Sequence, residues 1–196
     1  MDPIDLSNFA GLGAIGLMSL NILLGLLLSV KYNPVRQWPR RKINTVRIHN
    51  LTGYGALTLV LVHPALLLFP NHVKFRVIDL LYPINGPKQQ LVNSAGAAAA
   101  YLLILVVVTS YFRFEIGRWW WKRIHFATYA LFPLYAIHAL LTDPALKDRP
   151  IDWIDGEKVL VEVCVLAVAA AMIARIRWQL RQPAPRVHRP KVASTA

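Results

Sequence analysis

Cysteine is nearly absent from this chain. Of 196 residues only Cys164 is one, and it lies inside an apolar run. A lone thiol excludes an internal disulfide, a thiolate zinc site and an iron–sulfur cluster built within the chain. No Cys-x-x-Cys-His stretch occurs, so covalent haem attachment is not expected. Charge is also scarce. Only 16% of residues are charged, against about 25% in a typical soluble domain. Acidic residues are the scarcer sign, 10 against 22 Lys and Arg, for a net charge of +12. Such an excess can mark a nucleic-acid binder. Here the basic residues cluster in the short connections between apolar runs, so no nucleic-acid partner is expected. Met1–Asn8 carries Asp2 and Asp5 but no basic residue, which does not read as a cleaved signal peptide.

What the chain has instead is long uncharged runs, with 56% hydrophobic residues overall. About 20 apolar residues cross the hydrocarbon layer of a bilayer. Five segments meet that length, at about 9–30, 48–69, 91–112, 121–141 and 159–178. The fold expected is an all-α membrane protein, a five-helix transmembrane bundle over residues 1–181. The 182–196 tail is basic and proline-rich and is expected to be disordered. Basic residues prefer the cytoplasmic side. They fill the first loop (Lys31, Arg36, Arg40, Arg41, Lys42, Arg47), the third (Arg113, Arg118, Lys122, Arg123) and the tail, while the fourth loop is acidic. The N-terminus is therefore expected outside and the C-terminus in the cytoplasm, as a multi-pass protein of a bacterial inner (plasma) membrane. Val73–Tyr82 reads as a short surface helix, with Val77, Leu80 and Leu81 opposing Lys74, Arg76 and Asp79. Trp119, Trp120 and Trp121 read first as an interfacial anchor.

Four of the six histidines fall in these apolar segments: His49 and His63 on the second, His125 and His138 on the fourth. Ionisable residues in a bilayer are costly and usually functional. His49 and His63 are fourteen residues apart, roughly 21 Å along a helix axis. His125 and His138 are thirteen apart, roughly 19–20 Å. The second and fourth helices run in the same direction. One histidine from each therefore falls at an inner level, His49 with His125, and one at an outer level, His63 with His138. Two imidazoles per level are what bis-histidine ligation of a b-type haem needs, with two haems held between helices 2 and 4. Fourteen residues return to within about 40° of the same helix face, whereas thirteen miss by about 140°. Pro133, between His125 and His138, is the expected correction, because it can kink a helix. Gly53 and Gly55 would let a flat ring approach the backbone, or would let two helices pack closely. Arg41, Lys42, Arg47, Lys122 and Arg123 are candidate partners for haem propionates. Arg47 and Arg123 are favoured, since each precedes a candidate ligand by two residues. Phe132 falls between the levels. His72 is placed in the outer loop, where it could meet an acceptor, and His188 is assigned nothing.

The pattern Arg47-x-His49-x3-Gly53-x9-His63, followed by Phe114-Glu115-x9-His125-x12-His138, resembles the ferric reductase-like transmembrane domain over about Arg41–Leu141. That superfamily includes NADPH oxidases, ferric-chelate reductases and the haem subunit of a bacterial methionine sulfoxide reductase system. The resemblance implies two haems and electron transfer across the membrane. Relatives continue into a flavin and nicotinamide domain. After the fifth helix this sequence has no Gly-x-Gly-x-x-Gly and no room for a Rossmann unit. Electrons are then expected from a separate flavoprotein, a bound flavin (FMN or FAD) or a quinol, and to leave for an outer acceptor: ferric iron, oxygen, a quinone or a periplasmic protein. Two other readings stand beside this one. One is a haem and flavin subunit of a periplasmic sulfoxide reductase; the other is a membrane protein whose histidines only pack or relay protons.

Overall fold

The first two long helices each begin where a polar side chain satisfies one of their first free N–H groups. The structure, a computed structural model, describes residues 2–30, 44–70, 74–143, 146 and 152–181. The expectations for Arg41, Lys42, His72, His188 and the 182–196 tail lie outside them. In α1 (Pro3–Ser29) the Asp2 carboxylate accepts the Ile4 N–H at 3.1 Å, and Pro3 fills the first position, where no N–H is needed. That cap starts the helix six residues before the apolar run does. In α2 (Thr45–Leu66) the Asn44 side chain accepts the Arg47 N–H at 3.1 Å. A short α3 (Val77–Leu81) and a 3₁₀ turn (Pro83–Asn85) follow, then α4 (Gln90–Tyr111), α5 (Arg118–His125), α6 (Thr128–Leu141) and α7 (Gly156–Leu180). Among the described residues there is no strand.

Four stretches are long and apolar enough to cross a membrane: α1, α4, α5 with α6 taken as Arg118–Leu141, and α7. The chain is an all-helical membrane protein. α2 matches α4 in length at 22 residues, but His49, Asn50 and His63 dilute its apolar content and it falls short of the same measure.

The fourth expected helix is two. α5 ends at His125, and the chain turns through Phe126 and Ala127 before α6. The turn is tight: Ala127 N–H donates to Ile124 O at 2.9 Å, Tyr129 to Phe126 O at 3.0 Å and Ala130 to Ala127 O at 3.0 Å. These i→i−3 bonds wind at about 3.0 residues per turn rather than 3.6. They supply added rotation between His125 and His138 in the sense that thirteen residues lack. Part of the correction attributed to Pro133, about 20° for each tightened residue, thus lies upstream of it, and α6 runs through Pro133.

α1 lies along α2, α4 along α6, and α7 against α1. Small residues set the α1–α2 approach. A methyl on Gly55 would lie 3.1 Å from Leu17, and one on Gly53 would lie 3.2 Å from the Asn21 amide. Gly53 and Gly55 therefore serve close packing of α1 against α2, one of their two expected roles. Met18, Ala56, Ala99, Leu103, Leu131 and Tyr135 form the core midway along the bundle, and Phe132 packs against it. The Tyr135 hydroxyl meets Ser19 Oγ at 3.3 Å, joining α6 to α1 there.

The outer-loop helix also differs from expectation. Asp79 is buried rather than on the polar face, whereas Val77, Ile78 and Leu81 are exposed. The Arg76 guanidinium turns Asp79 inward by donating from Nε at 3.1 Å and Nη2 at 3.0 Å. Leu80 alone of the predicted apolar face packs inward, against Ile4, Phe75 and Leu146.

Candidate cofactor site

The bundle brings the four membrane histidines together in two pairs. The His49 and His125 rings have centroids 6.3 Å apart with planes crossing at 68°. The His63 and His138 rings are 6.2 Å apart and cross at 70°. Edge-to-face ring contact covers about 4.5–7 Å, so distance alone does not separate stacking from ligation. An imidazole nitrogen binds a metal at about 2.0–2.1 Å, and the ring centre lies about 1.1 Å behind it, so two rings on one metal have centroids about 6.2–6.4 Å apart. The spacing of both pairs fits an edge-to-face ring contact and also two imidazoles on opposite sides of one metal. Among the described residues no group of three or more His, Cys, Asp or Glu could hold an ion.

The hydrogen bonds fix which nitrogen is available. His49 Nδ1 lies 3.1 Å from Asn21 O, His63 Nδ1 2.8 Å from Ser7 O, and His138 Nδ1 2.9 Å from Val92 O. A carbonyl only accepts, so in all three rings Nδ1 carries the proton and Nε2 keeps its lone pair. This is the arrangement that orients a ligating histidine and raises its basicity.

The same device builds all three. Four residues beyond each accepting carbonyl stands a glycine whose missing side chain lets the ring lie on the backbone. A methyl on Gly11 would come within 3.1 Å of the His63 ring, on Gly25 within 3.3 Å of His49, and on Gly96 within 2.7 Å of His138. Ser7 and Asn21 hold their histidines twice, since Ser7 Oγ donates to His63 O at 2.8 Å and Asn21 Nδ2 to His49 O at 2.5 Å. None of these partners was read from the sequence. One signal was available: Ser7/Asn21 and Gly11/Gly25 repeat at fourteen residues, the spacing of His49 and His63. Gly11-Leu12-Gly13-Ala14-Ile15-Gly16 has the spacing of a dinucleotide-binding turn. It runs inside α1 and not from strand to helix, so it lacks the context that motif requires.

The outer pair borders a cavity of about 440 Å³, lined also by Gly11, Met18, Gly96 and Tyr135. Lys158 reaches its edge. Its ammonium is buried and spends all three protons on the last carbonyls around α6: Ala139 O at 3.0 Å, Leu140 O at 2.9 Å and Thr142 O at 2.5 Å. At the other end, Arg47 is exposed and Arg123 lies over the Trp119 ring at 3.6 Å. Arg175, read only as topological charge, is placed more tellingly. Its Nε donates to Ser29 Oγ at 2.8 Å, one turn beyond Gly25. Its Nη1 is buried with no partner among the described residues, a donor that suits an anionic oxygen.

The family described as ferric reductase like transmembrane component matches residues 10–136. The chain belongs to that family. Membership in this ferric reductase-like family points to electron transfer across a membrane. The match includes α1, which the motif-level resemblance left out, and α1 is the helix that supplies two of the three glycine cradles. No curated protein and no solved structure matches the chain.

Proposed function

We propose that this ferric reductase-like protein is a di-haem b-type cytochrome that carries electrons from a cytoplasmic-side donor to an outer acceptor. The observation that carries the reading is the doubled pair, with rings 6.3 and 6.2 Å apart and three of the four held with Nε2 free. His49 and His125 would hold one haem and His63 and His138 the other. The residues suit that group, because the outer pair borders the 440 Å³ cavity and the unpartnered Nη1 of Arg175 suits a propionate. Bound haem iron would supply a one-electron couple. The protein's own part is to fix the tautomers, set the separation of the levels and exclude water with a mid-bundle core. α2 is the fifth span in this reading, with α1 covering one side.

Orientation follows from charge. Arg47, Arg113, Arg118, Lys122, Arg123, Arg175, Arg177 and Arg181 gather at the His49–His125 end, whereas Asp79, Asp143, Asp152 and Asp155 gather at the other. The first end is then cytoplasmic, and its basic surface suits an acidic flavoprotein, a flavin phosphate or a quinol-side donor.

The test is a haem count on the purified protein with a reduced-minus-oxidised spectrum. Two b-type haems per chain are expected. His63→Ala and His49→Ala should each retain one. Absence of a Soret band in the wild type overturns the haem assignment, and one haem per chain overturns the two-level arrangement.

A further inference from the structure

The support of His125 breaks the rule that the other three histidines obey. On α1 the carbonyl and glycine pairs are Ser7 with Gly11 and Asn21 with Gly25. On α4 the outer pair is Val92 with Gly96. Fourteen residues further along α4 the equivalent positions are Val106 and Ser110. Where the pattern calls for glycine there is a serine. Its hydroxyl stands 3.4 Å from His125 Nδ1, and His125 has no carbonyl partner among the described residues. That hydroxyl is already engaged, because Trp121 Nε1 donates to Ser110 Oγ at 3.2 Å. The Trp121 ring also lies beside His125, with centroids 5.3 Å apart at a 33° tilt. The tryptophan triplet therefore divides. Trp119 and Trp120 are exposed, as anchors would be, and Trp121 is half-buried against the site.

We propose that Ser110 and Trp121 form a side-chain support that makes His125 the weakest donor of the four candidate ligands and so raises the midpoint potential of the inner haem. The proposal rests on the di-haem reading. A backbone carbonyl is a strong acceptor that draws the Nδ1 proton and makes the far nitrogen a better donor. A hydroxyl oxygen that already receives an indole proton, at a long 3.4 Å, draws that proton less. A less basic axial imidazole stabilises the ferric state less, and ligand basicity and outer hydrogen bonds are among the protein's means of setting a haem potential. Ser110 and Trp121 act through His125, so they are positioning residues. His125 sits at the end of the eight-residue α5, just before the Phe126–Ala127 turn. A support made of side chains can differ there without altering the rest of the bundle.

The test is a potentiometric titration of the full-length protein, resolved into two haem components and assigned by repeating it in His63→Ala, which keeps only the inner haem. Ser110→Gly should restore the carbonyl and glycine cradle through Val106, lowering the inner potential while the outer one stays fixed. Trp121→Phe keeps a ring beside His125 and frees the hydroxyl to accept; it should shift the inner potential the same way and by less. It carries the same test without touching α4. Two bound haems with the inner potential unchanged or raised in both variants overturn the proposal, as does an equal shift of both haems. A wild-type protein without haem would instead overturn the reading beneath it, so the two failures are distinguishable.

Discussion

At the scale of single residues, Gly96 is under the tightest constraint. A methyl there would lie 2.7, 2.8 and 2.9 Å from three atoms of the His138 ring. The ring cannot retreat without losing its bond to Val92 O. Gly96→Ala is expected to strip the outer haem and to destabilise the fold by about 1–3 kcal/mol, the usual cost of overpacking. Gly11→Ala, at 3.1 Å from the His63 ring, should do the same more mildly. Haem content and a denaturant midpoint check both. The histidines were legible in the sequence because an ionisable group in an apolar run stands out, and their pairing followed from spacing and helix direction. Their glycine partners were not legible. A glycine that uncovers a carbonyl looks the same in one dimension as a glycine that admits a neighbouring helix. Gly53 and Gly55, close to His49 in sequence, were open to both readings; they pack α2 on α1, whereas the glycines beside the histidine rings stand on α1 and α4. Trp121 was hidden for a related reason, since three consecutive tryptophans at a membrane boundary have a sufficient common explanation.

At the scale of elements, boundaries were legible to within a few residues where the apolar run itself sets the helix, as in α4. They diverged where backbone geometry decided, as at Phe126–Ala127. Pro133 is the residue that breaks helices locally, yet three tight backbone bonds before it already supply part of the rotation that the thirteen-residue spacing lacks. The join between α6 and α7 was equally hidden. Lys158 places a buried cation on the C-terminal carbonyls of α6, where the helix dipole is negative. Asp143, Asp155, Glu157 and Glu162 surround it electrostatically. Lys158→Met keeps the stem but strands those carbonyls, and each hydrogen bond to a charged group contributes about 1.5–3 kcal/mol. The expected result is a lower unfolding midpoint, with α6 losing amide protection from hydrogen exchange from its C-terminal end first. Unchanged protection there would show that the ammonium does not hold the helix end.

At the scale of the whole molecule, the two ends differ in charge and therefore in pH response. Outside the membrane, the Arg76 guanidinium beside Asp79 holds that carboxyl below the usual carboxylate range through its side-chain bonds, and the Arg76 N–H adds to this at 2.9 Å. Because the folded value is depressed, the stabilisation is fully present above the ordinary carboxylate pKa. It is lost as pH falls through the depressed value. Acid should loosen the α3 segment first, and Asp79→Asn should remove that pH dependence while leaving the His49–His125 end unaffected. Proteolysis of the outer loop across an acid series, or fluorescence of a probe placed there, reads it.

α1 carries no histidine, yet it meets both histidines of α2 with the same three features, a carbonyl, a side chain and a glycine, supplied by two residues and repeated at fourteen. A helix that contributes no candidate ligand therefore works as a ruler. It sets how far apart the two sites stand, and the spacing of the wire is recorded in a strand of sequence that never touches what it conducts.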